Sequence, residues 1–270
     1  MVQTQNFPQA GIATRRWGCD CFGVPQKRRT DCCLTLPEDK IKRPDLAIYS
    51  QEEVIGRGED PIWNNPDIVV INSPYARLNE ETQVTVRNIS RDAAAVGAQV
   101  HLFHSRFGIG FDRRHIGSQT VSLAPSTGAT LSFPLSRAVV VGDPKIGVHV
   151  EIEHAHDQNL INNCGSQVLA ASLTSVSGRT FDLPIPILNR SSFARRITLR
   201  IVAWDLVAAI VPVSRSFGPN EESVVSLHIE VPASARPTPD EGTRRLATVI
   251  ATADDGSLVG GVSQYIGVDA

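Results

Sequence analysis

Hydrophobic and polar residues alternate along the first half of the chain. Thr82–Asn88 places Val84 and Val86 between polar residues, and Ala98–Ser105 begins with three apolar residues at alternate positions. A period of two residues is typical of a β-strand with one buried face. The polar run Asn88–Asp92 lies between these segments, and its short side chains favour a turn because they bond to nearby backbone. The pattern therefore predicts two strands joined by a polar corner.

The same period continues along the chain and predicts further strands, with little helix. In the first half they are Asp45–Tyr49, Thr120–Leu123, Ala129–Leu135, Gly147–His154 and Gly165–Ala170. In the second half the apolar positions alternate over 181–187, 197–201 and 225–231, and Leu246–Thr252 and Val259–Val268 are the last strands. Phe107–Gly117, with its three glycines, and Ser136–Pro144 are predicted to be long connections.

Short sequence echoes indicate a repeat. Val86-Arg87-Asn88 lies 101 positions before Ile187-Leu188-Asn189, and His156-Asp157 lies 98 positions before Asp254-Asp255. A spacing near 100 residues is the size of one immunoglobulin-like domain. We therefore expect an all-β protein with two tandem immunoglobulin-like β-sandwiches, at 44–171 and 172–270, joined near Ala171–Thr174. An N-terminal arm, 1–43, precedes them.

Composition supports an ordered β protein and excludes some classes of function. The 270 residues are 41% hydrophobic and 20% charged, with a net charge of −2. The arm has eight Lys and Arg against four Asp and Glu, which leaves −6 for the remainder. This balance is too mild for a nucleic-acid-binding protein. No apolar run approaches the ~20 residues of a membrane helix, and no secretory leader is evident at the N-terminus. An extracellular or surface-associated location is nevertheless favoured by the assembly role considered below.

The arm is unusual because it holds four of the five cysteines: Cys19, Cys21, Cys32 and Cys33. Three uses stay open, which are disulfides within or between subunits, a metal site, and a reduced tail. Zinc usually needs C-x2–4-C pairs, whereas adjacent cysteines suit two different partners. We expect these four cysteines to form disulfides, and no metal to bind them. The odd fifth cysteine, Cys164, favours at least one free or intermolecular thiol.

Two further groups could hold a metal. His101, His149 and Glu151 lie at the outward-pointing positions of two predicted strands and could bind zinc. Polar residues alternate outward on any half-exposed sheet, however, and we favour that interpretation. Asp254-Asp255-Gly256, echoed by Asp157 and Asn159, could hold calcium. An ordinary tight turn is favoured at Asp254-Asp255-Gly256, because glycine supplies the positive φ and the spaced acidic loop of a calcium site is missing.

The sequence contains no motif of a known catalytic centre. There is no G-x-S-x-G elbow and no phosphate-binding lysine loop, and Gly108-Ile109-Gly110 lacks the third glycine of a dinucleotide-binding turn. We therefore predict that the protein is not an enzyme and has no catalytic residue and no cofactor.

Three segments resemble the bacterial immunoglobulin-like modules called CARDB or NEW3-like domains, which are related to cell adhesion. They are Asp67-Ile68-Val69-Val70, the V-x-V-x-N strand Thr82–Asn88, and the Asp/Asn-rich turn Asp157–Asn163. The resemblance extends from about Asp45 to the C-terminus. It implies an adhesive, spacer or assembly role rather than a reaction.

The sequence thus favours a structural protein, a self-associating building block of an appendage or filament, a surface layer or a particle. Homo-oligomerisation is expected through the N-terminal arm, which is long enough to reach a neighbouring subunit and add a strand to it. Two alternatives are a monomeric adhesion or ligand-binding module, which would use loops such as Phe107–Gly117, and an accessory domain of an enzyme.

Overall fold

Strands make up most of the structure, a computed structural model that describes residues 42–71, 81–134, 146–168, 173–175, 177–235 and 245–268. Within these ranges there are sixteen strands and one α-helix. None of their helices is long and apolar enough to cross a membrane. The four arm cysteines and the connection Ser136–Pro144 lie outside the described residues.

The elements follow one another in short steps. In the first half they are β1 (Leu46–Ala47), α1 (Gln51–Gly56), β2 (Ile68–Ile71), β3 (Glu81–Asn88), β4 (Ala95–Arg106), β5 (Arg114–Leu123), β6 (Thr127–Pro134), β7 (Ile146–Glu153), a 3-10 helix (Leu160–Asn163) and β8 (Cys164–Val168). In the second half they are β9 (Leu173–Ser175), β10 (Thr180–Leu188), β11 (Arg195–Trp204), β12 (Val207–Val211), β13 (Ser214–Phe217), β14 (Glu222–Glu230), β15 (Arg245–Ala253) and β16 (Leu258–Val268).

The first eight strands form two antiparallel sheets around one apolar core, and we call them the first unit. In one sheet β3 pairs with β6 along one edge and with β1 and β2 along the other. The second sheet has the order β5-β4-β7-β8. Val84 and Val86 of β3 meet Val100 and Leu102 of β4 in the core, and all four are fully buried. The period-two pattern thus gives each sheet one apolar face, and the two faces bury each other.

The remaining strands form a second unit with a similar plan. One sheet has the order β10-β14-β12, and the other has the order β13-β11-β15-β16-β9, in which only the β9–β16 pairing is parallel. Ile187 and Leu227 from the first of these sheets pack with Ile197 and Val249 from the second. The same core also contains Trp63, Phe107, Ile109 and Val168, which belong to the first unit.

The strand predictions are confirmed where the hydrophobic alternation is regular. They miss β2 and β9, and they differ from the structure in three further places. The predicted connection Phe107–Gly117 is too long, because β5 already begins at Arg114. The short helix α1 was not expected; Ser50 caps it by accepting a hydrogen bond from the Glu53 backbone N–H. Strands β12 and β13 were also missed, because they are only five and four residues long and β12 (VAAIV) has no polar alternation.

The two copies of the sequence echo have the same structural role. The Asn88 side chain donates to the carbonyls of Ala93, Leu123 and Ala124, and it accepts from the N–H groups of Asp45 and Ser90. Asn88 and Asn189 are each at most 3% exposed. The Asn189 side chain likewise donates to the carbonyls of Phe193, Phe217 and Gly218, and it accepts from the N–H of Ser191. Each asparagine therefore ties the corner after the first long strand of its unit to a later strand.

Asn88→Ala is expected to lower the free energy of unfolding by about 1–3 kcal/mol, because it leaves buried backbone groups without partners. Urea unfolding measures this loss. The matched control is Gln99→Ala, which removes an exposed amide bonded to Thr120 at 2.8 Å and should change stability by no more than about 0.5 kcal/mol. Equal losses in the two variants would show that the corner does not depend on Asn88.

Candidate functional site

The two units meet at a junction where a loop of the first unit pairs with an edge strand of the second. The backbone N–H of Ile109 donates to the Pro186 carbonyl at 3.0 Å, and the Leu188 N–H donates to the Ile109 carbonyl at 2.9 Å. These bonds form a parallel bridge between Ile109 and Ile187. The Ile109 side chain is 1% exposed and belongs to the core of the second unit. The loop therefore acts as a one-residue strand on the edge of β10.

This contact explains the Gly108-Ile109-Gly110 motif. Gly108 has a φ of +130° and Gly110 a φ of +81°. A Cβ on Gly108 would clash with the Pro186 carbonyl oxygen, and a Cβ on Gly110 would clash with the carbonyl oxygen of Leu188. Glycine is needed on both sides of Ile109, because the loop must take positive φ and approach another backbone closely. The motif is a structural clasp and has no phosphate-binding context.

A second contact at the junction is made by the extended segment 61–65, which lies between β8 and β16. The Trp63 carbonyl accepts from the Val168 N–H at 2.9 Å, and the Trp63 N–H donates to the Ser263 hydroxyl at 2.8 Å. The indole is 2% exposed and covers Gly261, where a Cβ would lie 2.5 Å from the ring. The Asn64 amide extends the contact by donating to the Tyr265 hydroxyl at 2.5 Å.

The free edge of β8 is covered by the side chain of Gln51 from α1. Its amide oxygen accepts from the Ser166 N–H at 3.1 Å, and its amide nitrogen donates to the Ser166 carbonyl at 2.7 Å. The same nitrogen also donates to the Ile62 carbonyl at 3.0 Å. The amide thus imitates the backbone of a neighbouring strand. This fixes α1 and segment 61–65 against the sheet that carries the polar residues of the junction.

A buried serine–histidine–serine cluster lies on the junction side of that sheet. His149 Nε2 is 2.9 Å from Ser105 Oγ, and His149 Nδ1 is 2.8 Å from Ser166 Oγ. Because Ser105 Oγ donates to the Arg106 carbonyl at 3.0 Å, its remaining role toward His149 is that of acceptor. The network therefore assigns the imidazole proton to Nε2, and Ser166 donates to Nδ1.

Charged residues surround this cluster. Arg113 Nη1 is 2.9 Å from Glu151 Oε1, and both side chains are less than 20% exposed. Burial lowers the pKa of Arg113, although the negative charge of Glu151 acts to raise it. Burial raises the pKa of Glu52 to about 7, an effect that Arg113 opposes. The pKa of His149 lies well below its ordinary value, first because of burial and then because of the positive charges of Arg113 and Arg190.

The geometry of the cluster does not match a hydrolytic triad. In a triad an acidic residue binds the Nδ1–H of the histidine, and the nucleophilic hydroxyl gives its proton to Nε2. In this chain a serine hydroxyl lies on Nδ1 of His149, and the Ser105 proton is directed to a backbone carbonyl. The cleft beside the cluster has room, about 20 Å³, for roughly one water molecule. The arrangement satisfies buried polar groups and leaves little space for a substrate.

The structure places the residues of the predicted histidine site on the neighbouring strands β4 and β7, with His101 opposite Glu151 and His149 opposite Phe103, but their side chains have different partners. His149 is buried between two serines, so the expectation that it points outward to solvent was wrong; the loop after β4 and segment 50–65 cover that part of the sheet. His101 instead bonds Ser118 at 2.7 Å and lies 3.5 Å from Glu153. Within the described residues, no three His, Cys, Asp or Glu side chains are placed to hold a metal ion.

The acidic motif at Asp254-Asp255-Gly256 forms the tight turn between β15 and β16. Gly256 has a φ of +81°, and the Asp255 carboxylate accepts from the Ser257 N–H at 3.0 Å and pairs with Arg195. Asp157, the other candidate calcium ligand, accepts from the Leu46 and Asn159 N–H groups at 3.2 and 3.1 Å. The carboxylate oxygens of Asp255 and Asp157 thus already bind backbone N–H groups or an arginine of the protein itself.

Cys164 begins β8, with 8% of its surface exposed, and it is not a free thiol. The predicted disulfides of Cys19, Cys21, Cys32 and Cys33 stay a prediction.

Comparisons with known proteins do not identify a family. No family model and no curated protein matches the chain. Among solved structures it is similar to Escherichia coli alpha-2-macroglobulin activated by porcine elastase, over 86% of this chain and 22% of that chain, with 12% identity and a TM-score of 0.29. It is also similar to the native conformation of the E. coli macroglobulin, over 75% and 16%, with 12% identity and a TM-score of 0.26.

A third similar structure is a protein of unknown function from Porphyromonas gingivalis W83. The similarity covers 73% of this chain and 96% of that one, with 13% identity and a TM-score of 0.24. The chain spans about a fifth of the length of the macroglobulin structures. At these TM-scores the similarities carry no argument about function.

Gly110→Ala is expected to destabilise the protein more than Gly58→Ala. Both glycines have positive φ, +81° and +77°, but no atom lies within 4 Å of a Cβ built on Gly58. Gly58→Ala should cost about 1–2 kcal/mol for the left-handed backbone alone. Gly110→Ala should cost about 1–3 kcal/mol more, because the methyl group pushes the clasp away from Leu188. Denaturant unfolding of the two variants measures the difference, and equal costs would contradict the clasp.

His149 is expected to make the protein less stable as the pH falls. The folded state holds His149 neutral, whereas in the unfolded chain the imidazole binds a proton near pH 6.5. Below pH 6.5 the unfolded state therefore binds more protons, so the free energy of unfolding decreases as pH falls toward the lowered pKa. His149→Gln should remove this decrease, as measured by urea unfolding between pH 7.5 and 5.5.

Two control variants accompany this experiment. His156→Gln, at an exposed position, should keep the wild-type slope. Glu52→Gln should change the slope in the opposite sense, because a carboxyl whose folded pKa is raised to about 7 loses its stabilising contribution as pH rises from 4.5 through 7. An unchanged slope in His149→Gln would contradict the neutral, buried imidazole.

Proposed function

We propose that the chain is a non-enzymatic structural protein, a self-associating building block of an extracellular appendage, surface layer or particle. The observation that carries this proposal is the junction. Backbone hydrogen bonds, a buried indole and a shared core join the two units. Subunits that repeat in an assembly need fixed geometry, because angular freedom within the subunit would accumulate along the assembly.

We further propose that each unit is an immunoglobulin-like sandwich. In the first unit the strand order matches a sheet of A, B and E strands that faces a sheet of C′, C, F and G strands. The second unit has the same central pairs, β10–β14 and β11–β15–β16. The second unit differs from the first at β12, which pairs with the edge of β14. The chain then crosses to the other sheet, where β13 pairs with β11.

A place among the CARDB or NEW3-like domains is part of the same proposal. The V-x-V-x-N strand that carries the resemblance ends in Asn88, which is fully bonded at the corner of the first unit, and its echo Asn189 does the same in the second. The Asp/Asn-rich turn holds β1 through Asp157 and Asn162. These features have structural roles that suit a spacer module.

The absence of catalysis is supported by the state of the serine–histidine–serine cluster. A general base needs a free lone pair directed at its proton donor. Because Ser105 directs its proton to the Arg106 carbonyl, the network that satisfies all three residues has Ser166 donating to His149 Nδ1 and the imidazole proton on Nε2. The hydrogen bonds of the cluster are explained by the need of buried polar groups at the junction for partners. Turnover of a panel of esters and peptides, above that of buffer, would overturn this part of the proposal.

The alternative of a monomeric binding module is less well supported. The loop expected to recognise a ligand is Phe107–Gly117, and three of its apolar residues, Phe107, Ile109 and Phe111, are less than 10% exposed. These three side chains are used inside the molecule and are not available to a partner.

Purified full-length protein is expected to form assemblies larger than its 29.2 kDa monomer. Light scattering after size exclusion measures the mass, and electron microscopy shows the form of the assemblies. Non-reducing gels with and without reductant test the arm: a ladder of multimers that collapses with reductant supports disulfides between subunits of Cys19, Cys21, Cys32 and Cys33. A monomer at all concentrations, in both conditions, contradicts the building block and favours the monomeric module.

A further inference from the structure

We propose that β12 is a docking edge at which two copies of the chain pair β12 against β12 in antiparallel register. The proposal rests on the assembly function above and specifies one of its contacts. Among the described strands, β12 pairs only with β14, so its second edge carries unpaired backbone N–H and C=O groups. Its sequence is VAAIV, with Val207 56% and Val211 68% exposed. An apolar edge strand of this kind is a ready template for another strand.

The other long edge strands of the described sheets are protected. On β10, Pro184 and Pro186 remove two N–H groups, and Ile109 covers the end of the strand. Strand β8 is covered by Gln51 and Trp63. Strands β5, β6 and β13 carry mostly polar residues on their exposed faces. The apolar strand β2 lies against β8 of its own unit. Strand β12 touches β11 of its own unit, but it has no proline and no charged residue, and among the described strands none pairs with its second edge.

The occupant that fits this edge is a second copy of β12, because the strand is complementary to itself. Antiparallel pairing centred on Ala209 places Val207 opposite Val211 of the partner subunit, and Ala209 opposite Ala209 of the partner subunit. Opposite residues on one face are the pairs that stabilise a sheet. The strand has no charged residue, so this pairing brings no like charges together.

Such a pair has two-fold symmetry and joins two three-stranded sheets into one of six strands. The exposed Val207, Ala209 and Val211 of both copies then form one apolar stripe across the two-fold axis. The inward residues Ala208 and Ile210 keep their places in the core of each copy. A five-residue pairing buries little area, so the contact belongs to the weak class and its population depends on concentration. In an assembly that is also joined at the arm, the two contacts reinforce each other.

A pair of charge variants tests the pairing and its register. In Val207→Lys/Val211→Lys, each new lysine at 207 faces a lysine at 211 of the other copy, so the contact should be lost. In Val207→Lys/Val211→Glu, the same lysine faces a carboxylate, so the contact should be kept. The two variants differ only at position 211. In both of them the lysine at 207 lies beside Glu230 of β14, which is a favourable neighbour within the subunit. Both positions are exposed, and the fold should tolerate them.

Sedimentation velocity of the full-length protein over a 100-fold range of concentration measures the mass. The measurement is made once without and once with reductant and alkylation. The second condition removes any disulfides of the N-terminal arm. The wild type in reductant should shift from monomer towards twice 29.2 kDa. The double-lysine variant should stay monomeric, and the lysine–glutamate variant should shift like the wild type. Val224→Lys, on the same exposed face but on the central strand β14, should also shift like the wild type.

The outcomes separate this inference from the proposed function. If the wild type assembles and the double-lysine variant assembles equally, the building block stands and the β12 contact is overturned. If neither charge variant associates, β12 is an edge for a different strand and the self-pairing is overturned. If the wild type loses all association in reductant, the arm alone holds the assembly and the inference fails. A wild type that is monomeric in both conditions contradicts the proposed function as well.

Discussion

The structure depends on the way in which segments of the first unit close open strand edges at the junction, one edge in their own unit and one in the second. Strands β8 and β10 would each present unpaired backbone groups next to the junction. Gln51 and Trp63 satisfy the first, and Ile109 satisfies the second. Because these partners are buried, separation of the units would expose apolar side chains and free backbone groups at the same time, and the costs of both oppose it. The junction therefore behaves as part of the core and not as a linker.

The same constraint gives the polar residues their roles. His149 and Ser166 lie on the outer face of their sheet, where Ser105 and Gln51 contact them and the loop after β4 and segment 50–65 cover them. Burial requires that each polar atom has a partner, so the two serines and the histidine bond one another and the imidazole stays neutral. A Ser–His pair at a cleft suggests catalysis at first sight. The direction of its hydrogen bonds fits a structural network and supports the proposal of a building block.

Much of the fold follows from local sequence, and the junction does not. The alternation around Val84 and Val86 predicts strands because one-sided burial has a period of two, and the echo of Asn88 at Asn189 marks the same corner in both units. Parity alone placed His149 outside, since a single-strand pattern cannot show that the loop after β4 and segment 50–65 fold over that outer face. Gly108-Ile109-Gly110 was noticed as a motif, but its use depends on a strand 78 residues later in the sequence, at Ile187. The run VAAIV has no alternation, so β12 was not predicted.

Hydrogen exchange at the junction tests most directly whether the two units form one rigid body. The decisive amides are those of Ile109, Leu188 and Val168, whose hydrogen bonds cross between the units or join β8 to segment 61–65. If the junction opens only when the protein unfolds, these amides should exchange at the rate of the slowest core amides, such as Val100 and Val249. Exchange of the Ile109 and Leu188 amides many times faster than the core, at unchanged global stability, would show that the units separate in the native state and would contradict the rigid junction.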